Sequence, residues 1–332
     1  MPETVLATRE ITMGEAVREA LAEEMRRDAR VFVLGEDVAE AGTAFKVLNG
    51  LVDEFGPERV LDTPISEAGF TGIAVGAAMT GMRPVVDIMF GDFIGLTMDQ
   101  MVNQAAKVHY MSGGKWKVPM VMRTTLVATR RSAAQHSQSL HAWFSHVPGL
   151  KVVLPSTPYD AKGLLKTAIR DENPVVFFED KMMYKLKGPV PAEDYTIPLG
   201  LADVKREGED ITLLATSSMV QVALGAAVLL EREGIRAEVV DPRTTWPLDE
   251  KTILDSVKKT SRVIIMDEGY GRYGVAAELA AVVAEGAFYD LDAPVKRMGA
   301  MHVPIPFSPP LEDVTVPTEE SVFKAAKQMC GR

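Results

Sequence analysis

Leu61-Asp62-Thr63-Pro64-Ile65-Ser66-Glu67-Ala68-Gly69-Phe70 is the stretch on which the reading of this chain turns. A strand-like run, Arg59 to Leu61, is stopped by Thr63-Pro64, since proline removes a donor and keeps the residue before it extended. A helix is predicted from Ser66, and Glu67, in its first turn, is its only ionisable side chain. Gly69, Gly72, Ala74, Gly76, Ala77 and Ala78 let neighbours approach closely, so the helix is expected to lie deep in the protein. A carboxylate there is costly unless something polar meets it. Glu67 can neutralise its own helix N-terminus or serve as an acid–base group in a dry site. The segment alone leaves both readings open.

Outward from this point, strand and helix patterns alternate. Thr12-Met13-Gly14-Glu15 reads as a capping box ahead of an apolar face formed by Val17, Ala20, Leu21 and Met25. Val31 to Leu34 is a buried strand ending at Gly35-Glu36-Asp37, and Arg83–Ile88, Val118–Arg123, Lys151–Leu154 and Val175–Phe178 are further strands. Helical patterns cover Ile94–Met111 and, after Ser156-Thr157-Pro158, Tyr159–Arg170. From Lys185 to Gly200 glycine and proline break every period, which predicts a linker. A second alternating unit follows: strands at Ile211–Ala215, Ala237–Asp241 and Val263–Asp267, helices at Met219–Glu233, Val275–Glu285 and Glu319–Met329. The expectation is an α/β protein of two domains, each a mostly parallel sheet flanked by helices. The domains are placed at residues 1–185 and 204–332, with 186–203 as the linker.

Composition narrows the function classes. Apolar residues make up 47% and charged residues 25% of the 332, ordinary for a soluble globular protein. The net charge of −10 and the lack of a basic cluster argue against nucleic acid as a partner. No apolar stretch reaches the roughly 20 residues that span a membrane, and Met1 to Glu10 lacks the apolar core of a signal peptide. A single cysteine, Cys330, excludes an internal disulfide, and a cytoplasmic location is expected.

His136, His141 and His146 lie five apart in Ala133-Ala134-Gln135-His136-Ser137-Gln138-Ser139-Leu140-His141-Ala142-Trp143-Phe144-Ser145-His146, the wrong spacing for zinc on one helix face. Gln135, Ser137 and Gln138 surround His136 with uncharged hydrogen-bonding groups, which suits a proton carrier near neutral pH and equally a packed loop histidine. Gly269-Tyr270-Gly271-Arg272-Tyr273-Gly274 follows a strand and opens a helix but matches the dinucleotide fingerprint only loosely, so it reads as a tight loop. Arg130-Arg131 is the best local attractor of anions. Ala168-Ile169-Arg170-Asp171-Glu172-Asn173-Pro174 ends a helix with free carbonyls beside an Asp and an Asn, a polar turn able to meet a hard cation.

In order along the chain, Leu34-Gly35-Glu36-Asp37-Val38, Leu61 to Phe70, Gly76-Ala77-Ala78, Arg83-Pro84, Asp99-Gln100, Ala133 to Gln138, Pro148 to Val153 and Ala168 to Pro174 resemble a known family. It is the beta subunit of the thiamine diphosphate-dependent decarboxylating component of 2-oxo acid dehydrogenase complexes. The resemblance runs from about Ile11 to the end and is closest to the pyruvate and acetoin members. It implies a transketolase-like pyrimidine-binding domain followed by a transketolase C-terminal domain. Glu67 would then hydrogen-bond the aminopyrimidine ring of the cofactor and promote its imino tautomer, with Met89 and Phe93 in the pyrimidine pocket. His136 would help pass the acyl or hydroxyalkyl group to a lipoyl arm. Met120, Ala168, Asp171 and Asn173 match a potassium-binding loop.

The family's Gly-Asp-Gly diphosphate motif is missing, since Gly91-Asp92-Phe93 lacks the second glycine. The resemblance therefore implies an alpha subunit that supplies magnesium and the diphosphate half, in an α2β2 heterotetramer. A lipoyl acyltransferase core would be the further partner, docked on the C-terminal domain. The expected reaction is oxidative decarboxylation of pyruvate with acyl transfer to lipoamide. Acetoin cleavage, and more distantly a branched-chain 2-oxo acid, are the alternatives. A self-sufficient transketolase-like enzyme is opposed by the missing motif. A nucleotide-binding electron carrier would leave Glu67 and the histidine segment without a role.

Overall fold

The computed structural model describes residues 8–126 and 131–331. Contacts divide them into two compact units. The first holds the described residues up to Thr125 together with His146–Leu199; the second holds Leu126, 131–145 and 200–331.

In the first unit, strands Lys151–Val153, Val175–Asp180, Val121–Leu126, Arg83–Ile88, Val31–Gly35 and Val60–Asp62 lie side by side in that order. Val31–Gly35 pairs in parallel with both Val60–Asp62 and Arg83–Ile88, Arg83–Ile88 with Val121–Leu126, and Lys151–Val153 with Val175–Asp180; Val33 lies opposite Val85 and Val60, and Asp87 opposite Arg123. Their central strands are buried on both faces, as a sheet covered by helices requires. Helices Met13–Arg27 and Pro158–Arg170 pack together over one face. Both start where the sequence says they should. Thr12 and Glu15 close a capping box, and Thr157 accepts from the Asp160 amide ahead of Pro158. Lys162 and Lys166, wholly buried between the helices, are neutralised by Glu23, Glu19 and Asp194.

The second unit has strands Lys296–Ala300, Val263–Tyr270, Ile211–Ala215, Ala237–Asp241 and Asp203–Arg206 in that order, parallel except for the last. Helices Met219–Glu231 and Glu319–Met329 bury an apolar layer on one face. Glu250–Thr260 and Val275–Ala287 do so on the other. Among the described residues no helix is long and apolar enough to cross a membrane.

Several boundaries differ from the sequence expectation. Lys187–Pro191, inside the expected linker, is a strand paired antiparallel to Thr8–Thr12; its prolines are tolerated because the ribbon has free edges. The following residues also belong to the first unit. Ile197 sits so close to Gly163 that a Cβ there would come within 2.6 Å of it, and Thr167 Oγ1 donates to the Ile197 carbonyl at 2.7 Å. The strand expected from Val118 begins at Val121, because Pro119 has no N–H to offer a ladder and the Met120 N–H turns back to the Val118 carbonyl. The helix expected over Ile94–Met111 is three pieces: a 3₁₀ stretch, Gly91–Thr97, a wider π turn, Asp99–Ala105, and an α-helix, Ala106–Met111. Thr97 Oγ1 takes the Ile94 carbonyl at 2.8 Å, competing with the regular ladder.

Two further differences bear on function. The first domain is expected at residues 1–185, and within that span residues 131–145 pack with the second unit. And helix Glu67–Met79 is not deep on all sides: Phe70, Thr71, Ala74, Val75 and Ala78 are buried, whereas Ala68, Gly69, Ile73 and Gly76 are exposed.

Near the carboxyl ends of the first sheet, Arg123 lies between Asp87 and Glu179, and all three are buried. Tyr184 Oη donates to Glu179 at 2.8 Å. Burial pushes the Asp87 carboxyl up to about 6, with Glu179 adding to the rise, despite the pull of Arg123. Replacing Arg123 by Met strands two buried carboxylates and should cost about 3–5 kcal/mol. Asp87→Asn should cost far less. Because the folded state holds the Asp87 proton more tightly than the unfolded chain, that residue's contribution is lost as pH rises from about 4 to about 6. Urea titrations across this range should show wild type losing stability relative to Asp87→Asn; parallel curves would contradict the assignment.

Candidate active site

In open parallel sheets, ligands collect at the carboxyl ends of the strands. Adjacent strands of the first unit deliver the predicted residues to that edge. Val31–Gly35 runs into Glu36 and Asp37, Val60–Asp62 runs into the Thr63–Ser66 loop and Glu67, and Arg83–Ile88 runs into Met89. The loops are tied together: the Thr63 N–H donates to the Gly35 carbonyl at 2.9 Å, and the Ala39 N–H to Asp62 Oδ1 at 2.7 Å. Gly35 has no room for a side chain, as a Cβ would stand 2.5 Å from the Asp87 carbonyl.

Glu67 opens helix Glu67–Met79 and is 6% exposed. No hydrogen-bond donor or cation faces its carboxylate among the described residues. The group close enough to matter is another acid: Glu36 is pushed up by burial, by the charge of Glu67 and by Asp37. Sequence reasoning singled out Glu67 and missed Glu36, although both close strands of one sheet; the pairing of those strands was the signal needed.

Met89, half-buried, directly follows strand Arg83–Ile88, and Phe93, also half-buried, lies in the Gly91–Thr97 turn. Helix Glu67–Met79 packs on the Gly91–Thr97 turn, and the Met89 carbonyl accepts from Thr125 Oγ1 at 3.3 Å. Phe93 lies edge-on to Phe90 at 5.8 Å, Phe90 to Phe45 at 5.5 Å, and Phe45 reaches Tyr184 at 5.6 Å. These rings form an apolar wall, none of which except Phe93 was picked out from the sequence. A buried acid with no donor among the described residues, at the same strand edge as Met89 and on a helix packed against the turn that carries Phe93, fits the pyrimidine half of the implied cofactor.

His136 belongs to the second unit, half-buried in irregular chain, its N–H 3.4 Å from the Ala133 carbonyl. His141 is wholly buried, with Nε2 at 3.0 Å from Asp267 Oδ1, and His146 falls in the first unit. No group of His, Cys, Asp and Glu able to hold a metal occurs among the described residues. Arg131 is no open anion site, since Glu312 and Asp313 hold its guanidinium; Arg130 lies outside the described residues.

Met120, Ala168, Asp171 and Asn173 are brought to one turn, where the Val175 N–H donates to the Met120 carbonyl at 3.0 Å. The Ala168 carbonyl accepts the Asp171 N–H, and Asp171 Oδ1 accepts both the Asn173 N–H and its Nδ2 at 2.9 Å. Lys151 pairs with the Asp171 carboxylate, whose protonation is driven below the usual range: burial opposes this, but bonds from Lys151 and Asn173 outweigh it. Each carbonyl keeps a second lone pair, so oxygen acceptors remain at this turn.

A buried acid beside a like charge is a stability cost. Glu67→Gln should therefore stabilise the isolated chain, by about 1 kcal/mol, in chemical denaturation. A loss of stability would mean that the carboxylate has a partner after all.

Family models place a transketolase pyrimidine-binding domain at residues 9–187 and a transketolase C-terminal domain at 200–322. The chain is 52% identical to the beta subunit of the acetoin:2,6-dichlorophenolindophenol oxidoreductase of Bacillus subtilis, over 97% of this chain and 98% of that one. Identity is 49% to the pyruvate dehydrogenase E1 component subunit beta of Rickettsia felis, over 97% and 98%. It is 47% to the 2-oxoisovalerate dehydrogenase subunit beta of Bacillus subtilis, over 95% and 97%. A solved split-gene transketolase, described as an inactive β4 tetramer, shares the fold at a TM-score of 0.80 and 24% identity, covering 97% of this chain and 98% of that one. With two transketolase domains in this order and near full-length relatives of one kind, the chain belongs to the beta subunits of the E1 components of 2-oxo acid dehydrogenase complexes.

Proposed function

We propose that this subunit carries the pyrimidine half of a thiamine diphosphate site and completes it only with an alpha subunit, in an α2β2 assembly. The observation that carries this reading is Glu67, a buried carboxylate with no donor among the described residues, at the carboxyl edge of the first sheet. Exposed apolar groups on and beside its helix, Ile65 at 77% and Ile73 at 64%, support cover by another chain. Bound thiamine diphosphate supplies a nucleophilic thiazolium carbon and a sink for the electrons that decarboxylation releases. Glu67 hydrogen-bonds the ring nitrogen of the aminopyrimidine and shares a proton with it. In a dry pocket this exchange needs little reorganisation. Met89 and Phe93 bound the ring. His136 holds or moves a proton beside the lipoyl sulfur that accepts the acyl group. Magnesium and the diphosphate fall to the alpha subunit, and the transketolase C-terminal domain docks the lipoyl acyltransferase core.

The reaction proposed is oxidative decarboxylation of pyruvate with acyl transfer to lipoamide. Acetoin cleavage is the second reading, favoured by the acetoin-type relative at 52% identity. Reconstitution separates these. The chain alone should not bind thiamine diphosphate and magnesium tightly, the chain with its alpha subunit should, and the loaded complex assayed on both substrates identifies the faster. Tight binding and turnover by this chain alone would refute the half-site. In the same complex, Glu67→Gln should abolish thiazolium proton exchange with assembly intact. His136→Ala should depress lipoamide turnover more than turnover with an artificial acceptor.

Potassium at Met120, Ala168, Asp171 and Asn173 is proposed as an ordering ion. Replacing potassium by tetramethylammonium at constant ionic strength should lower the melting temperature of wild type and not of Asp171→Asn. An unchanged melt removes the ion from the account.

A further inference from the structure

The histidine segment is held at both ends by contacts to buried carboxylates within the second unit. At its start, the Arg131 N–H donates to Glu312 Oε2 at 3.1 Å and its guanidinium pairs with Glu312 and Asp313, with Glu312 wholly buried. At its far end, His141 Nε2 lies 3.0 and 3.2 Å from the two oxygens of Asp267, and both residues are buried. Asp267 also accepts from Thr216 Oγ1 at 2.6 Å and from the Gly269 N–H at 3.1 Å. Burial alone would raise this acid; the charge and hydrogen bond of His141, with Thr216 and Gly269, hold it below the usual carboxylate range. An ionised carboxylate only accepts, so the proton of this contact is on His141 Nε2.

The far anchor is rigid because Asp267 lies within the sheet strand Val263–Tyr270 and Thr216 directly follows its neighbour Ile211–Ala215. It is also tightly fitted. A Cβ on Gly269 would come within 2.6 Å of Asp267 Oδ2 and 3.1 Å of His141 Cε1. Between the anchors the chain has no regular hydrogen-bond ladder, and Arg131 and Ala133 take left-handed φ values of 57° and 60°. His136 stands midway. Its location is inherited from the two ends more than from any helix or strand of its own.

We propose that His141 is a positioning residue, which acts through Asp267 to set the place of His136 for acyl transfer. The proposal rests on the reading of His136 given above. It concerns the transfer step and leaves the earlier chemistry to Glu67.

The test uses the chain assembled with its alpha subunit and compares His141→Leu, His141→Gln and His136→Ala. His141→Leu removes the donor; His141→Gln offers an amide N–H at nearly the same reach as Nε2. In His141→Leu, turnover with lipoamide should fall by about 10- to 100-fold, the loss that misplacement of a reacting group produces. Turnover with an artificial electron acceptor should stay within about threefold. His141→Gln should recover most of the lipoamide rate. Amide hydrogen exchange over residues 132–140, measured without substrate, should accelerate about tenfold or more in the Leu variant and return towards wild type in the Gln variant. Equal losses in both assays without rescue by Gln would overturn the proposal, as would unchanged exchange. If His136→Ala itself leaves lipoamide turnover intact, the reading of His136 fails. The exchange measurement then still decides whether His141 positions the segment.

Discussion

A folded chain that takes a carboxylate out of water must give it donors, cations or a proton, and at Glu67 the described residues supply neither donor nor cation. Elsewhere among the described residues the rule is obeyed. Glu24, Asp87, Asp160, Glu179, Asp180, Glu238, Asp241, Asp267, Glu268 and Glu312 are buried, and each has a donor from a side chain or a backbone amide. Glu67 is the exception, made worse by the neighbouring charge of Glu36. Selection tolerates such a cost where the missing partner arrives from outside.

The surrounding architecture keeps that carboxylate in place. Parallel strands bring Glu36, Glu67 and Met89 to one edge, and Gly35 lets strands Val31–Gly35 and Arg83–Ile88 close without a side chain between them. Elsewhere in the same sheet, the Arg123 cluster satisfies its own charges and ties the carboxyl ends of three strands together. A satisfied network of this kind stiffens the sheet whose edge carries Glu67.

Much of this was legible in the sequence. Strand Arg83–Ile88, strand Ala237–Asp241 and helix Glu319–Met329 have the bounds that period and capping predict. The glycines and alanines after Glu67 marked close packing correctly, but not which face would be covered from within. That depends on a partner surface, which no periodicity records. Prolines 189 and 191 signalled a break, yet an edge ribbon accommodates them. Glu36, Phe45 and Phe90 were given no role from sequence because residues far apart in the chain meet only through strand order.

The histidine segment shows a different limit. Its sequence suggested a contiguous domain, since it follows a strand of the first sheet and precedes another. What assigns it to the second unit is long-range chemistry: Arg131 on Glu312, His141 on Asp267, Ser145 on Thr245 and Ala142 against the apolar layer under helix Val275–Ala287. Of these partners, only the charge types could be read locally, and many pairings were open to them. The two predicted catalytic residues consequently belong to separately packed units, one at a sheet edge and one on a loop pinned by contacts to buried carboxylates. Glu67 is placed by the first unit's backbone ladder. His136 is placed by side chains, so substitutions far from the reacting atoms can move it while leaving Glu67 where it is.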